Sequence, residues 1–409
     1  MSARRPGRAG LRGILFCLAI GLAAGGCATT KIGPTTLKPA PAQIPEEQLL
    51  DVGVKILEPG KVRPKDEKKR GEAQEIREAE ANFMPVHLRQ TMEASSHYGN
   101  VRVMPLDMEG LDVQVTGEIV TSNGEELELS VEVKDATGTV WFQKNYREIA
   151  DADHYTGTQI GRKDAFQDLY NSVANDIADY KSALTPQELR RIRDASRMRF
   201  AASFAPDTYG GHIKVDDGEV EILRLPAEND PQMKRILDMR EREYMFFDTV
   251  DTHYQSLYLR MWAPYESWRK SGLVELLAMR EIERDAFHQK ILGGLMIAAA
   301  ILLEMSGAED VSTIEEVLVV GGVQVVINGF NVSAQTEIHA ASLKELSESF
   351  KNEAKPVVME VQGKVVELRG TTEEQYARWR EILRKIYEAE TGRKAATPPA
   401  AGTPAPAKP

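Results

Sequence analysis

Residues 113–147 read VQVTGEIVTSNGEELELSVEVKDATGTVWFQKNYR, and this stretch decides the fold. Val113, Val115, Gly117 and Ile119 alternate with Gln114, Thr116 and Glu118, the period of two that puts one set on a dry face and the other in water. Asn123-Gly124 is then the strongest short hairpin signal a sequence offers. Leu127, Leu129, Val131 and Val133 alternate again with Glu128, Ser130, Glu132 and Lys134. After the turn Asp135-Ala-Thr-Gly138, Thr139 to Arg147 returns as a third strand. The stretch predicts an antiparallel meander with one wet face.

Outward from the meander, Val101 to Met104 reads as a short strand. Before it, Ile76, Ala79 and Phe83, followed by a second set from Pro85 with Leu88 and Met92, recur at helical spacing up to Gly99. After the meander, Phe166, Leu169, Tyr170, Val173, Ile177 and Tyr180 form one helical stripe, suited to cover the dry face. Residues 46–181 are therefore expected to form a two-layer α+β module. Its strings "VRVMP", "DVQVTGEIV" and "LELSVEVKDATGTVWFQKNY" (within 72–181) resemble the periplasmic α/β module of curli-secretion lipoproteins and peptidoglycan-synthase activator lipoproteins, and the N-terminal domain of the Tol translocation β-propeller protein. The whole chain also resembles uncharacterised proteobacterial outer-membrane lipoproteins. The likeness implies a module that binds proteins or builds assemblies.

Arg4, Arg5, Arg8 and Arg12 precede the apolar run Ile14 to Ala24, the charged and apolar regions of a secretory leader over residues 1–26. It ends in Ala24-Gly25-Gly26-Cys27, which resembles the lipobox of bacterial lipoproteins. The resemblance implies that the Cys27 thiol takes a diacylglycerol, and Ala28 in the next position implies sorting to the outer membrane, facing the periplasm. Two or three acyl chains give a stable anchor where one does not. Residues 27–45, with Pro34, Pro39, Pro41 and Pro45, read as a lipidated tether able to hold the body up to roughly 50 Å off the membrane. At the other end, residues 393–409 read as a disordered Ala/Pro tail.

The 409 residues carry 51 Lys and Arg against 62 Asp and Glu, a net of −11. Without residues 1–26 the count is 47 against 62, a net of −15. This acidity argues against nucleic-acid binding, which needs a basic surface, and means that lipid rather than charge would hold the chain at a membrane. Two cysteines exclude a disulfide scaffold and a cysteine-rich zinc module.

Residues 182–290 read as a helical region. Thr185-Pro186-Gln187-Glu188 opens one helix, which carries a basic patch in Arg190, Arg191, Arg193, Arg197 and Arg199. The patch is a candidate site for lipid phosphate or an acidic partner, or is paired within the chain. Asp230-Pro231 opens the longest helix, expected to reach about Trp262, with Pro264 as a break or kink. Leu237, Tyr244, Phe247, Tyr254, Tyr258, Met261, Tyr265 and Trp268 make an aromatic stripe that reads as core. Asp248, Asp251 and His253 hint at a metal site, although His253 lies about 200° around the helix from Asp251.

Residues 291–353 read as a Gly/Ala-rich helical hairpin. Its apolar run 291–303 covers about 20 Å, short of a ~30 Å hydrocarbon core, so it is either buried or inserts in a bilayer or self-associates. Residues 354–392 read as a β-hairpin, Val357 to Val361 and Val365 to Leu368, followed by a helix capped by Thr371 and Glu374 with Tyr376, Trp379, Leu383 and Ile386 on one face. "VVMEVQGKVVELRGTTEEQY" resembles the strand-strand-helix of BON domains.

No nucleophile elbow, phosphate loop, zincin helix or dinucleotide fingerprint occurs. Gly157 to Lys163 imitates a phosphate loop but ends in Asp164. The seven histidines, His87, His97, His154, His212, His253, His288 and His339, have no ligand spacing, and Asp164 with Asp168 would serve a hydrolase only if a cleft raised one pKa. The sequence thus calls for no cofactor and no metal. It leads to the expectation of a non-enzymatic adaptor or accessory subunit of an envelope machine for secretion, transport or cell-wall synthesis. Its partners would be the outer-membrane lipid through Cys27, envelope proteins and a second copy of itself. The alternative is a membrane-active or self-assembling protein using 291–330, and last a cell-wall hydrolase.

Overall fold

The computed structural model describes residues 29–63, 72–306 (save 107, 109, 161 and 162), 341, 344, 345, 357–361 and 364–392. The fold is α+β. In chain order its elements begin with β1 (Thr29–Lys31), β2 (Val52–Lys55), α1 (Gln74–Ser95), β3 (Val101–Met104), β4 (Val113–Ser122), β5 (Glu126–Asp135) and β6 (Val140–Ile149). There follow α2 (Gln167–Ala183), α3 (Pro186–Phe204), the single turn α4 (Pro206–Tyr209), β7 (Ile213–Asp216) and β8 (Glu219–Ile222). The last are α5 (Pro231–Ser306), β9 (Val357–Val361), β10 (Lys364–Leu368) and α6 (Thr372–Thr391).

The meander is as its alternation requires: β4 pairs antiparallel with β5 and β5 with β6, with Val113, Val115, Ile119, Leu127, Leu129, Val131 and Val133 buried and Gln114, Thr116, Glu128, Ser130 and Glu132 half-buried on the wet face. The sheet is larger than the meander, with the order β1-β6-β5-β4-β2-β3. β2 inserts parallel between β3 and β4. All four of its residues are buried, and a short strand covered on both faces has no polar alternation to betray it. Gly124 in the β4–β5 turn sits against α5, where an added Cβ would collide with the backbone of Arg269 and Leu273. The Asn-Gly turn thus serves close packing as well as reversal.

Three expectations are corrected. α1 is one helix through Pro85 and closes at Ser96 in the left-handed region (φ 58°), not at Gly99. α5 does not end near Trp262; it continues through Pro264 to Ser306, because packing of its aromatic face holds the turns on either side. Among the described residues no helix is long and apolar enough to cross a membrane. The second limb of the Gly/Ala-rich hairpin, the leader with Cys27, and the Ala/Pro tail lie outside the described residues, apart from 341, 344 and 345.

The third correction concerns the tether, which from Thr29 on is laid along the body. β1 pairs parallel with β6, Thr29 opposite Asn145 and Lys31 opposite Arg147, and Ile32 N donates to Arg147 O at 2.7 Å. Asn171 and Asn175, one turn apart on α2, donate through their amides to Thr35 O (2.8 Å) and Thr36 O (2.9 Å). Asn175 Oδ1 also accepts from Lys38 N at 2.8 Å, Lys38 Nζ pairs with Asp179 at 2.7 Å, and Ala40 N donates to Ser95 O. A proline-containing chain lacks internal hydrogen bonds, so side-chain amides from a neighbouring helix can satisfy its backbone without competition.

The C-terminal unit is as expected. Thr371 and Glu374 cap α6 reciprocally, β9 and β10 pair antiparallel, and Trp379 is fully buried with Nε1 donating to Arg242 O of α5 at 3.2 Å. One continuous apolar core runs from Leu50 to Tyr387.

Replacing Asn171 and Asn175 by Ala removes three part-buried hydrogen bonds, to Thr35 O, Thr36 O and Lys38 N, each worth about 0.5–1.5 kcal/mol. Hydrogen exchange should quicken at residues 32–40 well before it does in β4 and β5; equal protection in the variant and the wild type would refute the clamp.

Candidate functional site

Two places gather polar groups. The first is buried between α1, α2 and α5. Arg269 Nη1 lies 2.8 Å from Asp164 Oδ1 and 3.1 Å from Oδ2, with its guanidinium 4.1 Å from the Tyr265 ring centre and 4.7 Å from that of Phe166. Glu80, wholly buried, accepts from Ser122 Oγ at 2.5 Å and Tyr265 OH at 2.6 Å. His87 bridges Tyr258 OH and Gln167 Oε1, each at 2.8 Å. Burial pushes the Glu80 carboxyl up and the His87 imidazole down, each toward its neutral form. Burial is the strongest single influence on Asp164 and acts to raise it, but the Arg269 charge, the His87 ring and the hydrogen bonds from Phe166 N and Arg269 together outweigh it and hold the carboxylate below its usual range.

Asp164 and Asp168 are therefore not an acid–base pair in a cleft: Asp164 is committed to Arg269. The cavity at Tyr155, Trp262, Glu266 and Arg269 measures about 10 Å³, room for one water and not a substrate. This cluster joins the long helix to the α+β module.

The second place is an open cleft of about 590 Å³ where four units meet: the β4–β5 end of the sheet, α3, the β7–β8 hairpin, and α5 with α6. Its size suits a small organic ligand or a few residues of a partner chain. Lys134, Arg199 and Arg380 line it beside Phe200 and Tyr376. Both of its carboxylates are occupied within the protein. Asp135 accepts from Thr137 N (2.8 Å) and Trp141 Nε1 (2.8 Å). Glu243, 1% exposed, accepts from Tyr376 OH (2.9 Å) and pairs with Arg380 Nε at 3.2 Å; burial, partly offset by Arg380, raises its pKa. The Lys134 side-chain amine has no hydrogen-bond or ion-pair partner among the described residues. The cleft is thus a cationic recess on an acidic chain.

The arginine patch of α3 is divided. At 100° per residue, Arg190, Arg193 and Arg197 share one side while Arg199 points the opposite way. Arg193 donates to Glu46 O at 3.0 Å, Arg197 pairs with Asp194 at 3.7 Å, and Arg191 lines a second recess of about 580 Å³ with Glu188, Glu219 and Glu221. Arg199 reaches Ala136 O at 3.5 Å in the cleft. Local pairing accounts for much of the patch, and Arg199 alone joins the cleft. Lys134, Tyr376 and Arg380 were not singled out from sequence as site residues; they reach Arg199 only through folding.

The metal hint at α5 dissolves. Asp251 accepts from Val103 N at 2.7 Å and Asp248 from Arg102 Nε at 2.5 Å, so the two carboxylates close the β3 edge of the sheet. Among the described residues no group of metal-ligating side chains occurs.

No family model, curated protein or solved structure matches the chain. The functional argument therefore rests on its own residues.

Two outcomes follow from the buried groups. Arg269→Met or Asp164→Leu alone strands the other charge and should cost about 3–5 kcal/mol, with much of that recovered in the double variant; additive losses in urea unfolding would show that the pair is not coupled. Glu148 accepts from Leu169 N at 2.7 Å at the start of α2, and burial pushes its carboxyl from 4.5 up to about 8. The folded chain favours its protonated form, so its contribution is full below pH 4.5 and is lost as pH rises through 8. Glu148→Gln should flatten the fall in stability across that window, read as urea midpoints at successive pH values.

Proposed function

We propose that the chain is a lipid-anchored accessory protein of a bacterial envelope, acylated at Cys27, held to the outer membrane, facing the periplasm, and acting as an adaptor with no enzymatic step of its own. The observation that supports this best is the join between leader and body. The string Ala24-Gly25-Gly26-Cys27 closes the leader, and Thr29, two residues on, is already paired with β6. A lipid on Cys27 would therefore join the chain two residues before its first strand. The docking element of the adaptor is the cleft, whose Lys134, Arg199 and Arg380 suit an acidic segment of an envelope protein; like-charged surfaces of the acidic body would turn that segment away elsewhere.

The test is crosslinking in cells, with the wild type compared with Cys27→Ser and Lys134→Glu. One stoichiometric envelope partner should co-purify with the wild type, be lost when Cys27→Ser leaves the membrane fraction, and weaken about tenfold or more with Lys134→Glu, in which a charge opposes the partner. Self-crosslinks alone would instead favour an assembling or membrane-active protein working through 291–330. Turnover of cell-wall polymer would return the hydrolase.

A further inference from the structure

The segment after Cys27 is a strap and not a spacer, which determines how the body meets its membrane. β1 is the outermost strand of the sheet and is paired with β6, and the segment after it is tied down at Thr35, Thr36 and Lys38 by the amides of Asn171 and Asn175 and by Asp179 on the Lys38 side chain. Ile32 and Leu37 add apolar contact with the core. From Cys27 to Thr29 the chain spans at most about 7 Å. An anchor at Cys27 therefore leaves no slack.

We infer that the protein is held edge-on against the bilayer, with the β1–β6 edge of its sheet at the lipid headgroups and the β3 edge, covered by α5, turned away. This rests on the acylation of Cys27 proposed above. Five strand spacings separate β1 from β3, roughly 24 Å, so the two edges differ in depth by well over a headgroup layer. The charge pattern is compatible. At the β1–β6 edge, Lys31, Lys38, Lys144 and Arg147 stand among Asp176, Asp179, Glu125, Glu126 and Glu128, a near balance of signs, so the anchor and not charge sets which edge meets an anionic surface. Gln143, exposed on β6 two residues before the partner of Thr29, lies in the direction from which the anchor enters. Met245, 53% exposed on α5, stands one turn before the aspartate that holds the β3 edge.

Because the chain holds only Cys17, in the leader, and Cys27, the acylated full chain offers no competing thiol for labelling. Gln143→Cys and Met245→Cys would each carry a nitroxide on the acylated protein in phosphatidylethanolamine–phosphatidylglycerol vesicles doped with a nickel-chelating lipid. The nitroxide at 143 should relax several-fold faster than that at 245. Adding Asn171→Ala and Asn175→Ala should bring 143 toward the rate at 245 while the protein still floats with the vesicles. Equal weak relaxation at both positions in the clamped protein, or stronger relaxation at 245, overturns the inference. So does relaxation at 143 that ignores the nickel lipid, since a second copy or another protein would then cover this edge. A chain that fails to float has lost the acylation reading itself, and the orientation with it.

Discussion

A single guanidinium is the point on which the architecture turns. Arg269 is 1% exposed, paired with Asp164 and held between the rings of Phe166 and Tyr265. Removing such a charge from water is costly unless a carboxylate meets it with good geometry, and here the carboxylate comes from the segment that leads into α2 while the arginine comes from α5. The pair therefore exists only when the long helix lies across the α+β module in one register. Glu80 of α1 and Tyr265 extend the same network, and Phe83 stacks on Tyr258 at 4.6 Å and meets Tyr265 at 4.5 Å. What composition suggests are separate helical and sheet regions is one core.

The second constraint is closure of the sheet edges. Exposed strand edges recruit other strands, and here each edge is occupied by a different device. β6 is covered by β1, a strand of three residues kept in place by asparagines from α2. β3 is covered by α5, with Asp251 taking the outward N–H of Val103 and Asp248 the Arg102 side chain. A sheet closed in this way is not an inviting template for strand addition. Grooves and helix faces remain open instead, and the cationic cleft combines size with a lysine side chain not spent on the described acids.

Legibility from sequence follows the range of the interaction. The meander, the caps at Thr185 with Glu188 and Thr371 with Glu374, the start of α5 at Pro231, and the buried face of Tyr376, Trp379, Leu383 and Ile386 are all readable, because each depends on residues within one or two turns or a period of two. Pro85 and Pro264 mislead for a related reason. A proline costs a helix locally, and only the packing of neighbouring turns on a core keeps α1 and α5 continuous. The tether misleads because proline-rich composition describes an isolated chain, while Asn171 and Asn175 of α2 lie more than 130 residues away and carry no pattern that announces their role.

The sequence by itself determined the α+β class, the three-stranded meander and the hairpin-plus-helix at the C-terminal end. Those rest on periodicity, turn chemistry and short strings, which need no knowledge of the rest of the chain. Tertiary structure alone decided that β2 enters the sheet in parallel, that the proline segment is strapped down, that Asp164 is spent on Arg269, and that Lys134, Arg199 and Arg380 face one cleft. Each of these joins residues dozens to hundreds of positions apart through burial, and burial is a property of the packed whole that no local window contains.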